Sequence, residues 1–204
     1  MNLSPCVDNT MNLSPCVITL VDVFKPMTSK FRQEHGLCNR IMVLGVSSHW
    51  GKRKGFDDFV SLAKELREPY SVVMVGVDSN QQKTLPGNVI CIARTDNTKE
   101  LAEIYSASDV FVNPTLEDNF PTVNLEALAC GTPVVTYRTG GSAESIDDGC
   151  GIAVDKGDVE GLIRAVKNCN IKRSNASGIE SCAQQFEKNT KFDEYINIYN
   201  SILP

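Results

Sequence analysis

Apolar residues in this chain fall into short unbroken runs, separated by segments in which they recur every three or four positions. The runs are Ile41–Val46, Ser71–Val77, Asn88–Ala93, Asp109–Asn113, Thr132–Tyr137 and Gly151–Val154. A strand covered on both faces reads as a continuous apolar run, so these segments predict buried strands of a parallel sheet. Between them Phe56, Phe59, Val60, Ala63 and Leu66 recur at helical spacing, and Leu101, Ile104 and Tyr105 mark a short helix between Asn97 and Ala107. Another helix starts at Pro121, where proline suits the first helical position. Further helices are predicted at about Ser29–His35, Asp158–Cys169, Ile179–Phe186 and Lys191–Ile202, with a polar gap at 170–178. Residues 47–55 read as a polar turn, and a polar connection containing Pro86-Gly87 precedes the third strand. Strands alternating with helices at short spacing make the fold class α/β, a Rossmann-like parallel sheet with helices on both faces.

The organisation expected is a leader or linker over 1–37, a Rossmann-like ligand-binding domain over 38–175 and C-terminal helices over 176–204. The leader carries Met-Asn-Leu-Ser-Pro-Cys-Val at 1–7 and again at 11–17. A ten-residue period seen twice is too short and too sparse for a repeat architecture, so it carries no structural weight. A secretory signal is not expected, because the basic leading region is missing and the apolar run from Val17 to Phe24 is short and broken by Asp22. No stretch is apolar enough over 18 residues to predict a transmembrane span.

At 204 residues with 42% hydrophobic content the chain can bury one substantial core. With 22% charged residues and a net charge of −5, it offers no basic surface for nucleic acid, and any phosphate must be held locally. The eight cysteines include no Cys-x-x-Cys pair, and several sit in apolar runs as small hydrophobes, so they are read as reduced and the protein as cytoplasmic. With only His35 and His49 and no clustered ligands, no metal site is expected. No Gly-x-Gly-x-x-Gly follows the first strand, and neither Gly-x-x-x-x-Gly-Lys-[Ser/Thr] nor Gly-x-Ser-x-Gly occurs. That argues against a standard NAD domain, a P-loop NTPase and an α/β-hydrolase.

The chemistry concentrates at 113–131, where a strand, a short loop and a helix N-terminus follow one another. The first amides of a helix lack intrahelical acceptors and its dipole favours negative charge, so this is an anion site. With Pro121 leading the helix, the free donors are the amides of Thr122 and Val123. Glu126 lies four residues beyond Thr122, on the same face and roughly 5–6 Å deeper. A carboxylate there repels phosphate but can accept two hydroxyls of an adjoining ribose. Asp118, with Glu117 beside it, suits sugar hydroxyls or a nearby cation. The cations Lys52, Arg53 and Lys54 precede a helix at the ligand-binding end of a strand, which favours a phosphate clamp over a solvated turn. Spacing alone leaves a second reading open, in which Glu126 only stabilises its helix and Asp118-Asn119 only form a turn. Gly140 and Gly141 allow close approach of backbone to a ligand or a neighbouring element.

The segment from Asp109 to Glu144, with Asp118, seven intervening residues and Glu126 around Phe120-Pro121, closely resembles the C-terminal donor domain of retaining GT-B glycosyltransferases of family 4. Lys52–Gly55 resembles that family's basic loop, Gly151–Val154 with Gly157-Asp158 its closing segment, and Asp193–Ile196 its terminal helix. The resemblance covers about 18–204. It implies a nucleotide-sugar donor, a UDP- or GDP-sugar, and no separate cofactor or metal. Residue by residue it implies Glu126 on the ribose, the Thr122 and Val123 amides on the diphosphate, and Asp118, Asn119, Phe120 and Pro121 in the donor loop. Arg53 and Lys54 would offset the charge growing on the β-phosphate as the sugar leaves, with Asp118 completing the catalytic set. Arg94 and Thr95 lie where the base rests in the family.

Two departures from the family pattern stand out. Asp118 replaces the longer glutamate, so Glu117 is a possible substitute. Val46 follows Gly45 where the family has arginine, and Arg53 or Lys52 is expected to supply that charge. Only the second of two GT-B domains is present, with Val17–Pro26 resembling the segment that enters it. The expectation is therefore a donor-binding half for retaining hexosyl transfer to a glycan or lipid-linked acceptor, inactive alone. The acceptor-binding domain would come from elsewhere in the protein or from a partner subunit, with peripheral membrane association of the full enzyme allowed. The alternative is a non-catalytic nucleotide-sugar-binding module.

Overall fold

The structure, a computed structural model, describes residues 23–169 and 175–202. The duplicated heptapeptide, Cys6, Cys16, most of the Val17–Pro26 segment and much of the polar gap at 170–178 lie outside the described residues.

Six strands form one sheet: β1 (Ile41–Val46), β2 (Tyr70–Val75), β3 (Val89–Ile92), β4 (Val110–Asn113), β5 (Val134–Tyr137) and β6 (Gly151–Val154). Their order is β3-β2-β1-β4-β5-β6 and every pairing is parallel. The α-helices among the described residues are α1 (Phe31–Glu34), α2 (Phe56–Glu65), α3 (Ser79–Gln82), α4 (Thr98–Ala107), α5 (Thr122–Ala129), α6 (Val159–Asn168), α7 (Ala176–Gln185) and α8 (Lys188–Ile202).

Alternate strand residues point to opposite faces, and each face has its own core. Met42, Leu44, Val73, Phe111 and Val134 pack with Ile104, Tyr105, Leu128 and Ile179 of α4, α5 and α7. Val43, Val72, Met74, Val110 and Val135 pack with Phe59, Leu62, Leu162 and Val166 of α2 and α6. Burial on both sides is why the strands read as unbroken apolar runs. The edge strand β3 is only half-buried throughout.

α3 was not expected from the sequence. It is a single turn held by a capping box, in which Asp78 accepts from the amides of Asn80 and Gln81 while the Gln81 side chain accepts from the Asp78 amide. A second difference concerns the cysteines. Cys182 on α7 packs against the segment before β6, bringing its Cα to 6.4 Å from that of Cys150, a separation that a disulfide can bridge. The sequence reading, which took every cysteine as reduced, did not foresee this pairing. No helix among the described residues is long and apolar enough to cross a membrane. On α8, Phe192, Ile196, Tyr199 and Ile202 are exposed.

Candidate functional site

Strand order reverses between β1 and β4: the chain leaves β1 toward β2 on one side and leaves β4 toward β5 on the other. Segments following two such strands diverge, opening a crevice beyond their C-terminal ends. A cleft of about 720 Å³ occupies that position. Lys54, Arg94, Thr95, Asp118, Phe120, Pro121, Thr122, Val123 and Glu126 all line it. It falls within the range of small-molecule sites.

After β1 the basic residues form a 3-10 turn, Lys52–Lys54, ending on Gly55 at φ 71°. A side chain at Gly55 would meet the Pro114 carbonyl at 1.9 Å, so glycine lets this turn lie against the loop after β4. The Leu116 amide donates to the Arg53 carbonyl at 2.8 Å, joining the two loops. Lys54 then reaches into the cleft and donates to Asp118 Oδ2 at 2.5 Å.

The same turn places Arg53 differently from Lys54. The exposed Arg53 side chain donates from Nη1 to the Glu117 carbonyl at 2.9 Å, outside the set that lines the cleft. Lys52 is exposed as well. Neither is among the residues that line the cleft, whereas Val46 is; of the three cations only Lys54 lines it. Asn119 is also outside the lining: it is exposed, and its carbonyl accepts from the Gly141 amide at 2.7 Å. Glu117 is exposed and outside the lining, whereas Asp118 lines the cleft.

Pro121 is the N-cap of α5, with ψ 111°, and not its first helical residue. The pyrrolidine ring fixes φ but leaves ψ free to stay extended, so the helix begins one position later. The Asn124 amide donates to the Pro121 carbonyl at 3.1 Å. The amides of Thr122 and Val123 remain the helix donors without intrahelical acceptors.

A buried polar cluster fixes this helix start. Asn113 Nδ2 donates to Asn124 Oδ1 at 2.8 Å, and Asn124 Nδ2 donates to Ser145 Oγ at 2.9 Å and to Ser142 Oγ at 3.2 Å. Thr136 bridges the Asn113 carbonyl, at 2.8 Å, and the Ser142 hydroxyl, at 2.6 Å. β4, β5, α5 and the 3-10 segment Gly140–Ser145 are thereby tied together.

Glu126 lies one turn deeper. The Tyr105 phenol donates to its Oε2 at 3.2 Å, and the Thr122 side chain, one turn away on the same helix, also favours the charged carboxylate. Burial raises the Glu126 pKa above the usual carboxylate value, partly offset by these two residues. Burial raises the Tyr105 pKa well above its ordinary value, and the neighbouring Glu126 carboxylate raises it further. Sequence spacing did not single out Tyr105 or the cleft residues Ser47, Trp50, Asp96, Asn97 and Asn113 as site residues. Trp50 is 2% exposed with its indole N–H on the Val75 carbonyl at 2.8 Å. No motif marked it; only its place just beyond β1 could have done so.

The family model described as glycosyl transferases group 1 matches residues 39–170. Over 157 residues the chain is 31% identical to D-inositol 3-phosphate glycosyltransferase of Corynebacterium jeikeium, covering 66% of this chain and 38% of that protein. N-acetyl-alpha-D-glucosaminyl L-malate synthase of Bacillus anthracis is 26% identical over 196 residues, covering 88% of this chain and 51% of that protein. Among solved structures, Anabaena HepE in complex with UDP superimposes with a TM-score of 0.75 at 20% identity, over 89% of this chain and 55% of that one. Sucrose-phosphate synthase from Thermosynechococcus elongatus does so with a TM-score of 0.75 at 23% identity, over 93% of this chain and 52% of that one. The chain thus spans about half, or less, of the relatives it matches. With a parallel sheet in this order and a family match over most of its length, the chain belongs to the glycosyl transferases group 1 family.

Proposed function

We propose that the cleft binds a nucleotide diphosphate sugar as the donor for glycosyl transfer, and that this chain is the donor-binding half of a retaining hexosyltransferase. The observation that carries the reading is the stacking of two unlike groups on one helix: unpaired amides at Thr122 and Val123, and the Glu126 carboxylate one turn deeper in the same cleft. The amides suit the diphosphate, and the carboxylate suits the vicinal hydroxyls of the ribose. Lys54 is the cation for the β-phosphate. To act there it exchanges Asp118 for a phosphate oxygen, leaving Asp118 to accept from donor-sugar hydroxyls. Arg94 and Thr95, on the β3 side of the cleft, face the base.

The Anabaena HepE structures that superimpose on this chain are complexes with UDP, or with UDP-glucose, which supports a donor of that chemical class. Transfer to a glycan or lipid-linked acceptor requires an acceptor-binding domain, supplied in the same polypeptide or by another subunit. Calorimetry with UDP, GDP and their sugar conjugates on the wild type and on Glu126→Ala tests the proposal. Binding by the wild type, lost or strongly weakened in the variant, is the expected result. Equal binding by both, or none by either, overturns the site.

A further inference from the structure

Glu126 is approached from two sides. Its cleft side is open, and from behind it is met by Tyr105, which is fully buried and is not among the residues that line the cleft. The Tyr105 ring is wedged edge-on between Phe111 of β4, at 5.4 Å between centroids, and Phe24, at 6.1 Å. Its backbone carbonyl is held by the Thr132 hydroxyl at 2.6 Å and by the Ser108 amide at 2.9 Å. Among the described residues, a phenol fixed this firmly sends its proton to Oε2 of Glu126 at 3.2 Å. Packing against Phe24 and Phe111 asks only for an aromatic ring; the hydroxyl is what the core does not require.

We propose that Tyr105 is a positioning residue for sugar-hydroxyl recognition, its phenol fixing the Glu126 carboxylate so that its free lone pairs meet two vicinal hydroxyls of the ligand. This rests on the reading of Glu126 given under Proposed function. A carboxylate on two rotatable carbons beyond its Cβ samples several orientations, and a pair of hydroxyls is bound well only when both oxygens are aligned. With Oε2 held by the Tyr105 phenol, the orientation is set before ligand arrives. The phenol also favours the ionised carboxylate, the form that accepts from both hydroxyls and donates to neither. Among the described residues, the groups acting on the Glu126 charge are Tyr105 from α4 and Thr122 from its own helix, and Cys130 acts on Tyr105 in turn.

The test uses Tyr105→Phe, which keeps the ring, and Glu126→Gln, in the full chain. The Glu126 carboxyl is titrated by carbon NMR without ligand, and binding of UDP and GDP is compared with that of their 2′,3′-dideoxy forms across pH. Loss of the phenol is expected to move the Glu126 midpoint to higher pH. It is also expected to weaken the favoured diphosphate about five- to tenfold at neutral pH while leaving the dideoxy form unchanged. The acid limb of binding then begins at higher pH in Tyr105→Phe than in the wild type. An unmoved midpoint in Tyr105→Phe overturns the positioning role whether or not either diphosphate binds. Equal weakening of the natural and dideoxy forms overturns it too, by showing a general packing defect. Retained preference for the natural diphosphate in Glu126→Gln instead overturns the ribose assignment, with the Tyr105 titration result standing apart from it.

Discussion

Lys54 Nζ lies 2.5 Å from Asp118 Oδ2, so the cation of the turn after β1 and the acid of the loop after β4 neutralise one another across the mouth of the cleft. Their side chains are 24% and 16% exposed, so the pair is largely withdrawn from water and each partner restrains the other.

The two residues are expected to behave in opposite ways toward a diphosphate. Lys54→Ala removes the attraction and leaves Asp118 as an uncompensated negative charge in the cleft, so affinity for UDP or GDP should fall about tenfold or more. Asp118→Asn releases Lys54 from its partner and removes a repulsive charge, so affinity for the same diphosphate should hold or rise. Calorimetry on both variants checks this. A loss of equal size in Asp118→Asn would mean that the pair acts only as a structural tie between the loops.

Glu126 sets function against stability. Burial raises its folded-state pKa above the value in the unfolded chain, so between those two values the folded state holds the proton more tightly. Its contribution therefore favours folding at low pH and turns unfavourable as pH rises through the folded value. Glu126→Gln removes that cost while keeping an acceptor for the Tyr105 phenol. The variant should melt above the wild type at pH 7–8, by about 2–4 °C if about 1 kcal/mol is recovered, and the gap should close toward pH 4. Thermal melts across that range, alongside lost nucleotide binding, are the measurement.

How much of this was legible in the sequence follows from how local each signal is. Val43 and Leu44 belong to opposite cores, yet both are apolar, so a continuous run reported the doubly covered sheet without knowledge of its partners. The helix start at 121–123 was legible to within one residue, because proline announces a boundary but does not fix ψ. Arg53 and Lys54 are adjacent in sequence, and nothing there says which one faces the cleft; the 3-10 turn closed by Gly55 decides it. The Asp78 and Gln81 pair is a capping-box spacing and could have revealed α3. The Tyr105 contact to Glu126 joins two helices 21 residues apart, and the Cys150 link to Cys182 spans 32. Neither leaves a local trace.

The buried amide of Asn124 serves three neighbours, and leucine cannot replace it. Asn124→Leu strips partners from the buried side chains of Asn113, Ser142 and Ser145. Each buried polar group left without a partner costs about 1–3 kcal/mol, and relaxation among the hydroxyls recovers part of it. A net loss of about 2–4 kcal/mol is expected in urea unfolding. Because the same cluster holds the start of α5, nucleotide affinity should fall even where the protein is fully folded.

A disulfide between Cys150 and Cys182, whose Cα atoms lie 6.4 Å apart, is expected to close a loop that holds β6, α6 and most of α7. Mass analysis after thiol alkylation in denaturant, without reductant, should show these two cysteines unmodified and Cys38 and Cys91 alkylated. Cys182→Ser should lower stability by about 2–4 kcal/mol relative to the oxidised protein and change little relative to the reduced one. Alkylation of Cys150 in the untreated protein would show that the pair is not joined in solution.

Gly140 tests how closely the donor loop is held by the segment after β5. Its φ is 47°, in the left-handed region, and a side chain there would meet the Asp118 carbonyl oxygen at 1.9 Å. Gly140→Ala therefore carries backbone strain of roughly 1–3 kcal/mol and must push the 118–120 loop away. The neighbouring bond from the Gly141 amide to the Asn119 carbonyl, 2.7 Å in the native chain, is displaced with it. Moving that loop shifts Asp118 relative to Lys54, but the cluster around Asn124 still anchors the start of α5. The expected outcome is a folded protein with reduced melting temperature, in which binding of a sugar nucleotide suffers more than binding of the free nucleoside diphosphate. Equal weakening of both ligands would show that the displaced loop disturbs the α5 amides as well, and unchanged binding would show that the loop yields without moving Asp118.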